Sequence, residues 1–279
     1  MKPGSLALLL CAVVAAVAVP LAGAARLDSG TFDDPTGDSG AAPDIQRVLV
    51  GSHATAITLG LTFPNRQKLE GQDAVLVYLD TDGNEATGEQ PNGADYMFLW
   101  DTEPQKPYAL FRWDGAQWVD TLSRSVRAYF YKGARISFNR GDIGAPTAIR
   151  FWVETYVGEQ FGDDAPDDAI TAYTLSNEAL KLRVAQFASA AKRVKPGKRF
   201  TIGMKVHRND LDEIATDGGV SCTAKVGKRV VKVTAGYPAD VALCTGIAPR
   251  WAKGKALKVT VTLALDGVNA KRTASIAVR

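Results

Sequence analysis

Histidine is nearly absent: His53 and His207 are the only two in 279 residues. No Gly-x-Ser-x-Gly elbow, no His-Glu-x-x-His pair and no phosphate-cradling glycine loop occurs. A glycosidase would need two carboxylates opposed across a cleft. The acidic residues here instead sit in turns beside Asn and Gly, which suits a cation better than proton transfer. These absences point away from an enzyme. Cysteine is also sparse, with Cys11, Cys222 and Cys244 alone, and two cysteines beyond the N-terminal region cannot build a structural zinc site. Beyond residue 21 no apolar run approaches the roughly 20 residues that a membrane helix needs. The sequence shows no wall-sorting or lipid-anchor tail. Apolar residues at helical period over a long window are missing too.

What is present begins with Lys2, an apolar stretch from Leu6 to Leu21 broken by Pro20, and Ala22-Gly23-Ala24. This reads as a signal peptide over residues 1–25, cleaved near Ala24 or Ala25. The expectation is a secreted chain, extracellular or at the cell surface, with no stable membrane insertion after cleavage. In an oxidising compartment Cys222 and Cys244 read as a disulfide, with two buried free thiols as the alternative.

The net charge of +3 hides an opposition between halves. Residues 26–180 hold 12 Lys and Arg against 24 Asp and Glu, whereas residues 181–279 hold 20 against 6. Two modules are expected, 26–176 and 177–279.

Both halves read as strands. Ile57, Leu59, Leu61 and Phe63 alternate with Thr58, Gly60 and Thr62, the period of a half-buried strand. The run from Ala74 to Leu79 is continuous and short enough for a central strand. Further strands are expected at Tyr96–Trp100, Tyr108–Trp113, Trp118–Leu122, Val126–Tyr131, Arg135–Phe138, Ile149–Val157 and Ile170–Leu175. Asp114-Gly115 and Lys132-Gly133 mark turns between them. In the second half, Phe200 to Val206 and Leu257 to Leu265 alternate cleanly. About seven strands fall within about 100 residues, the count of an immunoglobulin-like sandwich. The bridge between Cys222 and Cys244 could tie neighbouring strands or the two sheets. The fold class is all-β: a β-sandwich followed by an immunoglobulin-like β-sandwich.

Asp80-Thr81-Asp82-Gly83-Asn84 follows the apolar run directly. Oxygen side chains at alternate positions converge when the chain turns, and hard oxygen ligands suit Ca²⁺. The segment is no EF-hand, because Glu85 and Pro91 stand where that loop requires Gly and Glu. Asp95, just before the next strand, could return to the same turn. A plain solvated turn is the simpler reading of Asp-Gly-Asn. Two more acidic segments, Asp33 to Asp38 and Asp163 to Asp168, lie at the ends of the first module and could face one another.

Asp33-Asp34-Pro35-Thr36-Gly37-Asp38, Pro43-Asp44-Ile45, Leu79-Asp80-Thr81-Asp82, Thr87-Gly88 and Gly93-Ala94-Asp95-Tyr96 occur in that order. With Leu110-Phe111-Arg112-Trp113-Asp114-Gly115 and Asp164-Ala165-Pro166-Asp167, they make the first module resemble family 9 carbohydrate-binding-module-like and DOMON-like sandwiches. The resemblance implies a jelly-roll-type β-sandwich, often with structural calcium, that binds sugars or serves as a non-catalytic appendage, and marks Asp80, Asp82, Asn84 and Asp95 as candidate calcium ligands. Haem, which some DOMON relatives bind, finds no paired His or Met. The second module resembles secreted bacterial immunoglobulin-like domains around Val220 to Ala224 and Cys244 to Pro249, which implies a disulfide and no chemistry of its own.

Sugar sites expose flat aromatics. Trp100, Trp118, Tyr129 and Tyr131 are the ligand-binding candidates, whereas Trp113, sharing a face with Phe111 and Ala109, is expected in the core. The expected partner is a polysaccharide or an anionic cell-wall polymer. The alternative is a structural or adhesive surface protein that uses its charged modules. Nucleic acid is not expected, since stacking aromatics are sparse in the basic half.

Overall fold

The computed structural model describes residues 29–131, 133–167, 170–189, 192–238 and 240–279. The expected signal peptide, with Cys11, lies outside them. The described residues are strands joined by loops, with two short 3-10 turns at Arg140–Ile143 and Arg250–Ala252. No described helix is long and apolar enough to cross a membrane.

The first module contains β1 (Ser29–Asp33), β2 (Arg47–Ser52), β3 (Ala56–Thr62), β4 (Asp73–Asp80), β5 (Tyr96–Trp100) and β6 (Tyr108–Trp113). It continues through β7 (Trp118–Asp120), β8 (Arg127–Phe130), β9 (Ala134–Asn139), β10 (Ala148–Val157), β11 (Gln160–Ala165) and β12 (Thr171–Thr174). One sheet runs β1-β2-β3-β9-β8; the other runs β11-β10-β4-β5-β6-β7, with β12 also on β10. All pairings are antiparallel, and the chain crosses between sheets after β3, β7 and β9. The core lies between them. Val75, Val77 and Leu79 of β4 face Leu59, Leu61 and Ile136, with Phe98 and Phe151 beside them. Each such side chain contributes about 1.5–3 kcal/mol by leaving water.

The second module contains β13 (Leu182–Ser189), β14 (Arg193–Val194), β15 (Arg199–Arg208), β16 (Glu213–Ile214) and β17 (Gly219–Val226). It continues through β18 (Arg229–Val230), β19 (Val233–Gly236), β20 (Ala242–Ile247), β21 (Ala256–Leu265) and β22 (Val268–Val278). Its sheets are β13-β15-β20-β19, with β16 on β15, and β14-β22-β21-β17-β18. Strand β14 runs parallel to β22. This is the immunoglobulin arrangement, A-B-E-D against a sheet built on G-F-C.

Cys222 and Cys244 are bonded, β17 to β20, so the bridge joins the two sheets. The bridge of antibody domains joins strands B and F; here it joins their neighbours, C (β17) and E (β20). The central positions belong to Ile202 and Val261, registered with Cys244 and Cys222 and fully buried.

One sequence expectation needs correction. Thr58 and Gly60, expected to face solvent, are buried. The second module covers that face of β2 and β3. A Cβ on Gly51 would collide with the Asp210 carbonyl oxygen and Leu211 Cδ2, and one on Gly60 would sit 2.6 Å from Arg135 Nη1. At Gly51 the backbone of the second module takes the space, and at Gly60 the side chain of Arg135 does.

The seam between the modules is polar. Arg208, only 2% exposed, grips Asp210 through Nε and Nη2 at 2.7 and 2.6 Å, reaches Asp217 at 3.1 Å, and donates to Thr58 Oγ1 of the first module at 3.3 Å. Arg135 pairs with Glu213 at 3.1 Å, and the Tyr129 hydroxyl meets Thr216 Oγ1 at 2.8 Å. Asp266, on the turn between β21 and β22, takes Arg127 Nη2 at 2.7 Å and lies 3.4 Å from Nε2 of buried His53. The hydrogen bond with His53 and then the Arg127 guanidinium hold the Asp266 carboxyl well below the usual carboxylate range. A depressed carboxylate stabilises the fold above its unfolded pKa, about 3.9, and loses that contribution as pH falls toward its folded value. Below about pH 4 the melting temperature of the wild type should therefore drop toward that of Asp266→Asn. Parallel melting curves for the two proteins from pH 7 to pH 3 would contradict this.

Candidate cation loop and aromatic face

Strand β4 alternates strictly. Val75, Val77 and Leu79 point into the core, so Leu76, Tyr78 and Asp80 project from the outer face. Asp80 ends the strand with no exposed surface. Its Oδ1 accepts the N–H groups of Asp82 at 3.2 Å and Gly83 at 2.7 Å, and this folds the loop back. Gly83 has φ +72, a left-handed backbone that glycine adopts without strain. Asp82 Oδ1 accepts the Asn84 N–H at 2.8 Å, and the Thr87 hydroxyl donates to Asp82 Oδ2 at 2.9 Å. Asp95 returns to the start of the loop. Its N–H donates to the Leu79 carbonyl at 2.9 Å, and its Oδ2 accepts the N–H and hydroxyl of Thr81 at 2.8 and 2.7 Å.

One oxygen each from Asp80, Asp82 and Asp95 lies within 4.8 Å of the other two. Asn84 is exposed, and its Oδ1 accepts the N–H of Ala86 at 3.1 Å. Burial pushes the Asp80 carboxyl up and Asp95 adds to this, while the Gly83 N–H and Arg150 pull it down. Arg150 Nε lies 3.3 Å from Asp80 Oδ2 without making a hydrogen bond to it, and its Nη2 holds Glu85 at 2.9 Å. Asp80 Oδ2 is thus buried without a donor. A buried acceptor left unsatisfied costs about 1–3 kcal/mol, more when charged. All-oxygen donors, three carboxylates and one orphaned buried oxygen fit a hard cation such as Ca²⁺.

Beside Asp80 the outer face of the larger sheet is aromatic. Trp152 of β10 stacks on Tyr78, with ring centroids 4.9 Å apart and planes at 11°. Trp118 of β7 lies 6.2 Å from Tyr78 and 5.3 Å from Trp113, its partner across the β6-β7 hairpin. Glu154 accepts Trp152 Nε1–H at 3.1 Å and the Tyr156 hydroxyl at 2.8 Å. Of the four aromatic candidates, Trp118 belongs to this face. Trp100 does not: it is 8% exposed and tilted against Phe130 in the core, because β5 turns Tyr96, Phe98 and Trp100 inward. Tyr129 is taken up by the seam with Thr216. Tyr131 follows β8, on the opposite sheet. Trp113 is half-buried on the outer face rather than in the core, since Leu110 holds the inward register. Tyr78 was missed by sequence reasoning, hidden in the run from Ala74 to Leu79. The alternation of Leu76, Tyr78 and Asp80 against Val75, Val77 and Leu79 was its signal.

The basic module has a separate exposed feature. Trp251 is 43% exposed, with Arg229 and Lys255 at 5.2 and 5.9 Å from its ring, beside exposed Val230 and Ile247.

No protein-family model and no curated protein matches the chain. Among solved structures, a chimeric titin Z1Z2 functionalised with a KLER peptide from decorin is 10% identical, with a TM-score of 0.31 over 90% of this chain and 98% of that one. The titin Z1Z2 domains in complex with telethonin are 12% identical, with a TM-score of 0.27 over 82% of this chain and 89% of that one. Likeness at this level carries no argument; the two-sandwich architecture rests on strand order and register.

Proposed function

We propose that this chain is an exported, non-catalytic carbohydrate-binding protein whose first module is a family 9 carbohydrate-binding-module-like, DOMON-like sandwich holding a structural calcium ion. One observation carries the reading: Tyr78 and Asp80 project from the same face of β4, so the carboxylate loop borders half-buried Tyr78 and Trp118, with buried Trp152 stacked behind Tyr78 as support. Aromatic faces suit the apolar C–H surfaces of sugar rings, and Glu154 and Arg150 beside them suit hydroxyl groups. Asp80, Asp82 and Asp95 would hold the ion. Bound calcium neutralises crowded carboxylates and so fixes the loop against the sheet.

Glycan arrays with the purified full chain test this. Trp118→Ala should weaken binding at least tenfold, about 1.4 kcal/mol, as expected when an aromatic anchor is lost. Glycan binding unchanged in both Trp118→Ala and Tyr78→Ala would overturn the stacking reading. A second reading, adhesion to anionic wall polymer, is favoured by Trp251 set between Arg229 and Lys255. It predicts no glycan hits and a polymer affinity that falls with salt.

A further inference from the structure

The two acidic segments of the first module meet. The loop over residues 34–45 is tied down onto β10 and β11: Thr155 Oγ1 donates to the Pro43 carbonyl at 2.7 Å, and the Ile45 N–H donates to Asp163 Oδ2 at 2.6 Å. The approach is so close that a Cβ on Gly162 would collide with Ala42. This brings Asp34, Asp44 and Asp163, all more than nine-tenths buried, together with exposed Asp38 and Asp167.

One oxygen each from Asp34, Asp163 and Asp167 lies within 4.8 Å of the other two, and the same holds for Asp38, Asp44 and Asp163. Asp34 Oδ1 accepts the Asp167 N–H at 3.0 Å, but Asp34 Oδ2 is buried without any donor. Elsewhere in the module a buried carboxylate is met by arginine, Asp73 by Arg66 at 2.8 Å and Asp80 by Arg150 at 3.3 Å. Among the described residues none of these five aspartates has an ion pair with Lys, Arg or His. Shared Asp163 makes the two triads one continuous group.

We propose that Asp34, Asp163 and Asp167 bind a divalent cation of the calcium class, with Asp38 and Asp44 on the far side of Asp163. The orphaned Asp34 oxygen, the absence of any cationic partner and the all-oxygen donor set point to a hard ion rather than a softer metal. Burial, and then the neighbouring carboxylates, push Asp34 up to about 7 and Asp163 up to about 6, which agrees with a group assembled to share positive charge. The ion would clip the exit of β1 to the end of β11. This site is separate from the Asp80 loop and independent of sugar binding.

The test uses the full chain carrying Asp80→Asn, so that the first loop cannot account for uptake. Calcium retained after equilibrium dialysis and the melting temperature in chelator and in calcium are both measured. The Asp80→Asn protein should retain a single calcium ion per chain and melt higher in calcium than in chelator. Adding Asp34→Asn should remove that ion and abolish the calcium-induced rise, while raising the melting temperature in chelator by relieving crowded charge. No calcium in the Asp80→Asn protein, or equal uptake with and without Asp34→Asn, would overturn the proposal. Should Asp80→Asn fail to fold, wild type and Asp34→Asn are compared directly, with a deficit of one ion expected and equal stoichiometry refuting the site.

Discussion

Arg208→Ala should lower the free energy of unfolding by about 3–5 kcal/mol, the cost of removing one partner from a buried ion pair. Asp210 has no exposed surface and receives two of the five guanidinium N–H groups. Alanine would leave that carboxylate charged in a site water cannot reach, or force it to take a proton. Asp217, at 3.1 Å, would lose its cation too. The substitution also frees Thr58 across the seam, so the loss should be felt in the first module. Thr58→Val is the control: it removes only the long 3.3 Å bond, and a hydrogen bond to a charged group is worth about 1.5–3 kcal/mol at its best geometry. Urea unfolding followed by circular dichroism reads both variants. A drop below about 1 kcal/mol for Arg208→Ala would mean that the network adds nothing beyond what exposed pairs do.

The second large effect belongs to the disulfide. Replacing both Cys222 and Cys244 with alanine should cost about 3 kcal/mol, because a sequence separation of 22 residues closes a loop of moderate entropy. Packing adds to this, since Cys244 is fully buried within the core of the second module. The expected outcome is a lower urea midpoint with an unchanged far-ultraviolet spectrum below the transition. The same midpoint with and without the bridge would show that β17 and β20 hold together by packing alone.

Much of the fold was legible in the sequence. Tyr96–Trp100 and Tyr108–Trp113 begin and end where aromatic residues and leucine cluster between turns. The disulfide followed from an isolated pair of cysteines in a chain expected to be exported, though the sheets it joins depended on register, which composition does not encode. Strands β1, β2, β11 and β13, and the two-residue β14 and β16, were not read. β11 is Gln-Phe-Gly-Asp-Asp-Ala, whose polar sequence pairs because β10 offers it an open edge. The outer face of β3 was misread because Gly60 and Thr58 look like solvent-facing residues when no neighbouring module is in view. At the site, the spacing of Asp80 and Asp82 and the return of Asp95 were legible as turn chemistry. The aromatic face was only partly so. Whether a tryptophan in a strand points in or out depends on one residue of register, and Trp100 and Trp113 went the opposite way from expectation.

The position of the disulfide has a mechanical consequence. The bond spans β17 to β20, so a chain hauled by its two ends cannot pay out the segment between Cys222 and Cys244 even after every sheet has parted. At about 3.4 Å per residue, those 22 steps withhold roughly 75 Å of extension from the second module. The first and last strands of the module, β13 and β22, can peel, but the linked pair stays as a short tether. A chain that grips a surface by one module would keep that much slack in reserve until a reductant cut the link.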